Sequence, residues 1–326
     1  MISPMLPIGL ELPGEPSVPE MMALARQAEG AGFESIWLTE TRFTRDAVTT
    51  ASAVATATRT ARVATAVVNP FTRGAVLTAV TAATLDEVCG GRLVLGIGPG
   101  SPIVLERQGI HFDHPLVRLR ETVDVVRRLL RGEEVTFTGQ TLQVKRARLD
   151  FTPLRPAIPI YLGVTGPKAL ALAGEIADGV ILNGFVSPEY TRRAIEIVRS
   201  AARAAGRNPD DVDSTASLIV SVDTDHAAAL DAVRPLVALY LADFPNIARE
   251  SGVADDVLGQ ISAAHRREGP HAAAQFVSDA VVTELTCAGT LSEVQAGVAR
   301  RRAAGVGLPI VSFAHPRQMS WLSQLA

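Results

Sequence analysis

The chain has 326 residues, 47% hydrophobic and 20% charged, which is enough apolar content for a large core and too much for a disordered chain. A net charge of −3 supplies no basic field for nucleic acid, and no apolar run approaches the roughly 20 residues of a membrane helix. The two cysteines, Cys89 and Cys287, lie far apart with no CxxC pattern, and the N-terminal stretch has no signal-like apolar segment, so a reducing cytoplasm is the expected setting.

Short apolar runs alternate with longer helical patterns, as expected of repeated βα units. The first run, Ile8–Leu12, is followed by Ser17 and Glu20, which read as a capping box for a helix with Met21, Leu24, Ala25 and Ala28 on one face. Ser35–Thr39, Val63–Val68 and Leu93–Ile97 are the next three strands. Residues 99–115 form a Pro-, Gly- and His-containing excursion, and Leu116, Leu119, Val123, Val126 and Leu130 then repeat at helical spacing before Gly132. Residues 133–157 read as a hairpin around Gly139-Gln140. Ile158–Gly163 and Gly179–Leu182 follow, with Ser187-Pro188 opening a helix after them. Ser214–Val222 precedes an Ala-rich helical insertion at 240–285 with breaks at Pro245 and Pro270, and Thr290 with Glu293 caps the helix before Pro309–Phe313.

These eight strands are mostly continuous apolar runs, as strands buried on both faces must be. An open doubly wound sheet shares the alternation, but eight units favour closure into a (β/α)₈ TIM barrel. The expected architecture is one domain over residues 1–326, with insertions after strands four and seven and a small hairpin before strand five.

A barrel presents its chemistry at the C-terminal ends of its strands, which narrows the candidates. A Schiff base has no well-placed lysine, since Lys145 falls in the hairpin and Lys168 at a helix start. The first strand carries no histidine for a metal, His111 and His114 read as surface or lid residues, and no GxSxG elbow is present. Glycine-rich loops after strands three, four and five remain, and these suit a flat ring with a phosphate-bearing tail. Gly96-Ile-Gly98-Pro99-Gly100 lets backbone approach a ligand closely, although it lacks the spacing of a dinucleotide fingerprint. Thr165-Gly166-Pro167-Lys168 is either an anion site at a helix N-terminus or an ordinary βα turn.

Several segments together resemble the luciferase-like family of flavin and deazaflavin F420 oxidoreductases, with the F420-dependent methylenetetrahydromethanopterin reductase branch the nearest likeness. They are the run from Ala28 to Glu40, Val68-Asn69-Pro70-Phe71-Thr72-Arg73, Ala83 to Glu87 with Gly90-Gly91-Arg92 through Gly98, and Gly163-Val-Thr-Gly166-Pro167 with Ala177-Asp178-Gly179. The resemblance implies a homodimeric, F420-dependent oxidoreductase acting on a small molecule, with neither nucleic acid nor membrane as partner. It also implies a non-prolyl cis peptide at Ala66-Val67 behind the ring. Glu40 would contact the ring, and Asn69, Gly98, Pro99, Gly100, Thr165, Gly166, Pro167, Lys168 and Asn183 would hold cofactor. Glu11 and Glu40 are the candidate catalytic acids. Thr41, Ser101 and His315 are the candidate substrate contacts, with Thr41 and Ser101 standing where relatives carry histidine and an acidic residue. An FMN-dependent monooxygenase and a non-catalytic flavin or F420 carrier are the rival readings, and no metal is expected.

Overall fold

Strands buried on both faces have to be apolar throughout, and the runs so read are strands in the computed structural model, which describes residues 7–40 and 43–325. In chain order the first half comprises β1 (Gly9–Leu12), α1 (Val18–Gly30), β2 (Ser35–Leu38), α2 (Ala47–Ala57), β3 (Arg62–Thr65), α3 (Ala75–Val88), β4 (Leu93–Ile97), α4 (Pro102–Glu106) and α5 (Pro115–Leu130). The hairpin β5 (Val135–Thr138) and β6 (Gln143–Ala147) precedes β7 (Ile160–Gly163), α6 (Pro167–Ile176), β8 (Gly179–Leu182), α7 (Pro188–Ala204) and β9 (Asp213–Val222). A helical excursion follows: α8 (His226–Asp243), α9 (Pro245–Glu250), α10 (Asp255–Glu268), α11 (Pro270–Ala273) and α12 (Asp279–Leu285). The chain then adds β10 (Cys287–Gly289), α13 (Leu291–Ala303) and β11 (Leu308–Phe313).

The parallel order β9-β11-β1-β2-β3-β4-β7-β8 closes on itself, because β8 also pairs with β9 from Gly179↔Asp213 to Leu182↔Ala216. This is the expected eight-stranded TIM barrel, with β5 and β6 set apart as an antiparallel hairpin. β10 lies outside the eight strands read from sequence. Its three residues pair with Val220–Val222 at the upper end of β9, and a run that short leaves no hydrophobic pattern. The third strand ends at Thr65 instead of Val68. Ala66 and Val67, joined by a cis peptide, bulge there, and Val68 rejoins the sheet through a bridge to Ile97. The excursion begins earlier than residue 240, since α8 runs unbroken from His226 to Asp243 and Pro245 starts a new helix. Among the described residues, no helix is long and apolar enough to cross a membrane.

Local chemistry sets the helix ends as the spacing predicts. Ser17 N–H donates to Glu20 Oε2 at 2.8 Å, Thr290 N–H donates to Glu293 Oε2 at 2.8 Å, and Ser187 Oγ accepts Tyr190 N–H at 3.0 Å. Inside the barrel, alternate residues of each strand point inward. Trp37 and Tyr161 are fully buried there with ring centroids 5.9 Å apart, and Val94, Leu308 and Ile310 complete the layer. Trp37 Nε1 donates to Ser35 Oγ at 2.8 Å and the Tyr161 hydroxyl donates to Asp213, so the polar atoms of this floor are satisfied.

The motif around Asp86 and Arg92 proves to be structural. Asp86 is fully buried at the end of α3, accepts Leu93 N–H at 3.2 Å, and is paired bidentately by Arg155, which ties the segment after the hairpin to the barrel. Arg92 donates to the carbonyls of Ala55, Thr58, Ala61 and Cys89 and so fastens α2 and α3 to their strands.

Truncating Arg155 leaves a buried carboxylate without its partner. Arg155→Ala is therefore expected to cost about 3 kcal/mol in urea unfolding, and adding Asp86→Asn should recover at least half of that loss. Additive losses in the double variant would show that the uncompensated charge is not the cause.

Candidate functional site

Above the Trp37–Tyr161 floor the interior is open. A cavity of about 470 Å³ lies among the C-terminal ends of the strands, within the range of pockets that enclose small organic ligands. The parity that puts Trp37 in the floor puts Thr39 one layer higher, and β1 turns Glu11 inward beside it, in register with Trp37. Ser217 of β9 and Ser312 of β11 enter the same upper layer.

Glu11 is the ionisable group at the centre of this layer. Burial pushes its carboxyl above the ordinary glutamate range, hydrogen bonds from Ser312 and Ser217 pull part of the way back, and the charge of Glu15 at the rim adds to the rise. The Thr39 side chain is almost fully buried, and its Oγ1 has no hydrogen-bond partner in the protein. Ala66 and Val67 form one wall. Val67 presses against β4 and β7 so closely that a Cβ at Gly98 or Gly163 would lie 2.4 or 2.8 Å from its side chain, which is why glycine stands at both places. Thr165 and Asn183 line the cavity after β7 and β8, and the Thr165 carbonyl accepts the Tyr190 hydroxyl. Leu236 and Tyr240 of α8 close the far side.

The structure thus gathers Glu11, Ala66, Val67, Thr165 and Asn183 around one space. Other candidate residues serve the loops around it. Glu40 Oε2 accepts Ala47 N–H and an Arg73 Nη2 hydrogen, each at 3.4 Å, and Arg73 also pairs with Asp46, the cap of α2. Burial raises the Glu40 carboxyl, with Arg73 opposing the rise and Asp46 adding to it. Asn69 Oδ1 accepts the Phe71 and Thr72 N–H groups at 3.0 Å, making a turn beside Gly100. Gly98 N–H donates to Val68 O at 2.8 Å, while Pro99 and Gly100 lead to Ser101, the residue before α4. Gly166, Pro167 and Lys168 begin α6, with Lys168 exposed. His315 Nδ1 accepts Arg317 N–H at 3.1 Å, capping the C-terminal turn of helix. Thr41 lies outside the described residues.

Sequence reasoning missed Thr39, Ser217, Ser312, Leu236 and Tyr240. Ser312 carried a signal, as the one hydroxyl residue of the otherwise apolar β11; Thr39, just past β2, and Ser217, among the several hydroxyls of β9, did not stand out.

The sequence profile of luciferase-like monooxygenases matches residues 5–307. The chain belongs to that family. Within this luciferase-like family it is 32% identical over 303 residues to a 5,10-methylenetetrahydromethanopterin reductase of Archaeoglobus fulgidus, covering 91% of this chain and 90% of the relative. It is 32% identical over 257 residues to an F420-dependent glucose-6-phosphate dehydrogenase of Nakamurella multipartita, covering 74% and 75%. The structure of the coenzyme F420 dependent tetrahydromethanopterin reductase from Methanopyrus kandleri superposes with a TM-score of 0.89 at 26% identity, over 98% of this chain and 96% of that one.

The raised carboxyl of Glu11 has a consequence for stability. The folded chain binds its proton more tightly than the unfolded chain, so stability falls as pH rises from the unfolded value, about 4.3, through the folded one. Glu11→Gln removes that slope, and the Tm difference between variant and parent should move in the variant's favour between about pH 5 and about pH 8. A difference constant across that range would mean that the carboxylate is not desolvated.

Proposed function

We propose that this chain is an F420-dependent oxidoreductase that moves a hydride between the deazaflavin and a small organic substrate in the barrel mouth. The observation that carries this reading is the cavity itself: a bulged Ala66–Val67 wall, apolar sides and one desolvated acid, in a family whose relatives include F420-dependent reductases and dehydrogenases. The residues fit such a group. The Val67 wall, seated in the room left by Gly98 and Gly163, offers a flat apolar backing, and Asn183 and Thr165 supply polar contacts at its edge. Gly166 to Lys168, at the start of α6, would meet a phosphate with free N–H groups and the helix dipole.

When bound, F420 supplies or accepts the hydride. Glu11 supplies or accepts the accompanying proton, so that a C=O or C=N bond and the corresponding C–H with O–H or N–H interconvert in balance. The apolar walls exclude water from that exchange. Glu40, Arg73 and Asn69 brace the loops after β2 and β3 and thereby hold the Ala66–Val67 wall in place. The protein works as a single domain and a homodimer. An exposed apolar stripe on α3, Leu77, Val80 and Val88 at helical spacing, supports pairing with a second copy, and Leu154 adjoins its end near Gly91.

Fluorescence titration of the protein with F420 and, separately, with FMN tests the cofactor. Quenching of F420 at micromolar concentration is expected; FMN binding without F420 binding would replace this reading with the monooxygenase one. Sedimentation of a Leu77→Glu, Val80→Glu variant tests the interface, with a folded monomer expected from a dimeric parent and an unchanged dimer contradicting the assignment.

A further inference from the structure

The cavity has two chemically different halves. Toward β3 and β7 it is lined by Ala66, Val67 and Gly163, a wall of small side chains and backbone. Toward β1, β2, β9 and β11 its floor carries the hydroxyls of Thr39, Ser217 and Ser312 around Glu11, beneath an apolar roof that includes Leu236, Tyr240 and Met319. The roof is held firmly. Tyr240 stacks between Phe185, 4.2 Å away, and Phe244, 4.8 Å away, so the helical excursion is tied by aromatic contacts to the loop after β8.

Two observations bear on what fits the second half. Among the described residues lining the cavity, the charged ones are the carboxylic acids Glu11 and Glu15, and none is an arginine, lysine or histidine. An anionic substrate would lose its hydration there without a counter-charge and would face two acids. Thr39 Oγ1, in turn, is buried in the cavity wall with no protein partner. A turn about χ1 presents that hydroxyl to the cavity, where it gains a hydrogen bond from a ligand's polar atom.

We propose that the substrate is an uncharged molecule with one carbonyl, imine or hydroxyl head and an apolar body, the head held by Thr39 and the body by Leu236 and Tyr240. This rests on the hydride-transfer reading above. In the reducing direction the hydride leaves reduced F420 for the head-group carbon, the C=O or C=N π bond breaks, and the oxygen or nitrogen takes the Glu11 proton. Thr39 is placed to position the head for that transfer, which makes it a substrate-binding residue and leaves cofactor affinity to the opposite wall.

The test uses the full chain, first shown by fluorescence to bind F420; failure at that point removes the functional reading itself and not this inference alone. With F420 bound, cyclohexanone, 2-cyclohexenone and benzaldehyde are offered as neutral probes against reduced F420, and glucose 6-phosphate as the anionic probe against oxidised F420. At least one neutral probe is expected to be turned over, with no turnover and no Tm shift from the sugar phosphate. Thr39→Val should raise KM for the neutral probe about tenfold, leave the F420 Kd within about twofold, and be rescued by Thr39→Ser. The inference is overturned by turnover of glucose 6-phosphate, by absence of both turnover and Tm shift with every neutral probe, by an unchanged KM in Thr39→Val, or by an equal loss of F420 affinity.

Discussion

A closed eight-stranded barrel has a nearly fixed interior, and inward side chains must fill it or leave a hole. Here the lower interior is filled by Trp37 and Tyr161, the largest fully buried side chains among the described residues. One layer higher, many of the residues that face the interior are small, among them Thr39, Ala66, Gly163, Ser217 and Ser312. The volume missing from those residues is the cavity. Binding space and polar floor therefore both follow from one change in side-chain size between adjacent layers of a single scaffold, and Glu11 lines the space so made.

That geometry also explains the electrostatics. Glu11 enters a space walled by apolar groups, and its carboxyl is stabilised mainly by two serine hydroxyls instead of by a cation. The proton is consequently held more firmly than in water, as a group that donates to a substrate requires. Glu40, by contrast, shares Arg73 with Asp46 at the start of α2, a setting that steadies loops. Two carboxyls of similar sequence setting, each at a strand end, thus meet different surroundings, two serine hydroxyls for Glu11 and an arginine for Glu40.

Much of the barrel was legible in the sequence because doubly buried strands write themselves as apolar runs, and Ser17-Glu20, Ser187 and Thr290-Glu293 mark their helix starts by known capping chemistry. β10 was not, since three residues carry no period, and the start of the excursion was misplaced because α8 continues smoothly past residue 240. At the site, Glu11, Ala66, Val67, Thr165 and Asn183 were legible, the first as an acid in an apolar strand and the others through family likeness. Asn69, Gly98 and Gly100 belong to equally visible motifs, and in the structure Asn69 shapes a turn beside Gly100 while Gly98 admits Val67. A motif records that a residue type is required without recording whether ligand or backbone requires it. Leu236 and Tyr240 were illegible for a different reason: their place at the mouth depends on how α8, which follows β9, folds back over the barrel.

In the proposed complex the deazaflavin ring occupies the upper layer against Ala66 and Val67, leaving Glu11 and Thr39 to the substrate. A crystal structure of the protein soaked with F420 tests this most directly. Ring density lying on the Ala66–Val67 wall, with Glu11 and Thr39 uncovered on its other side, is the predicted result; a ring seated elsewhere, or one covering Thr39, would contradict it.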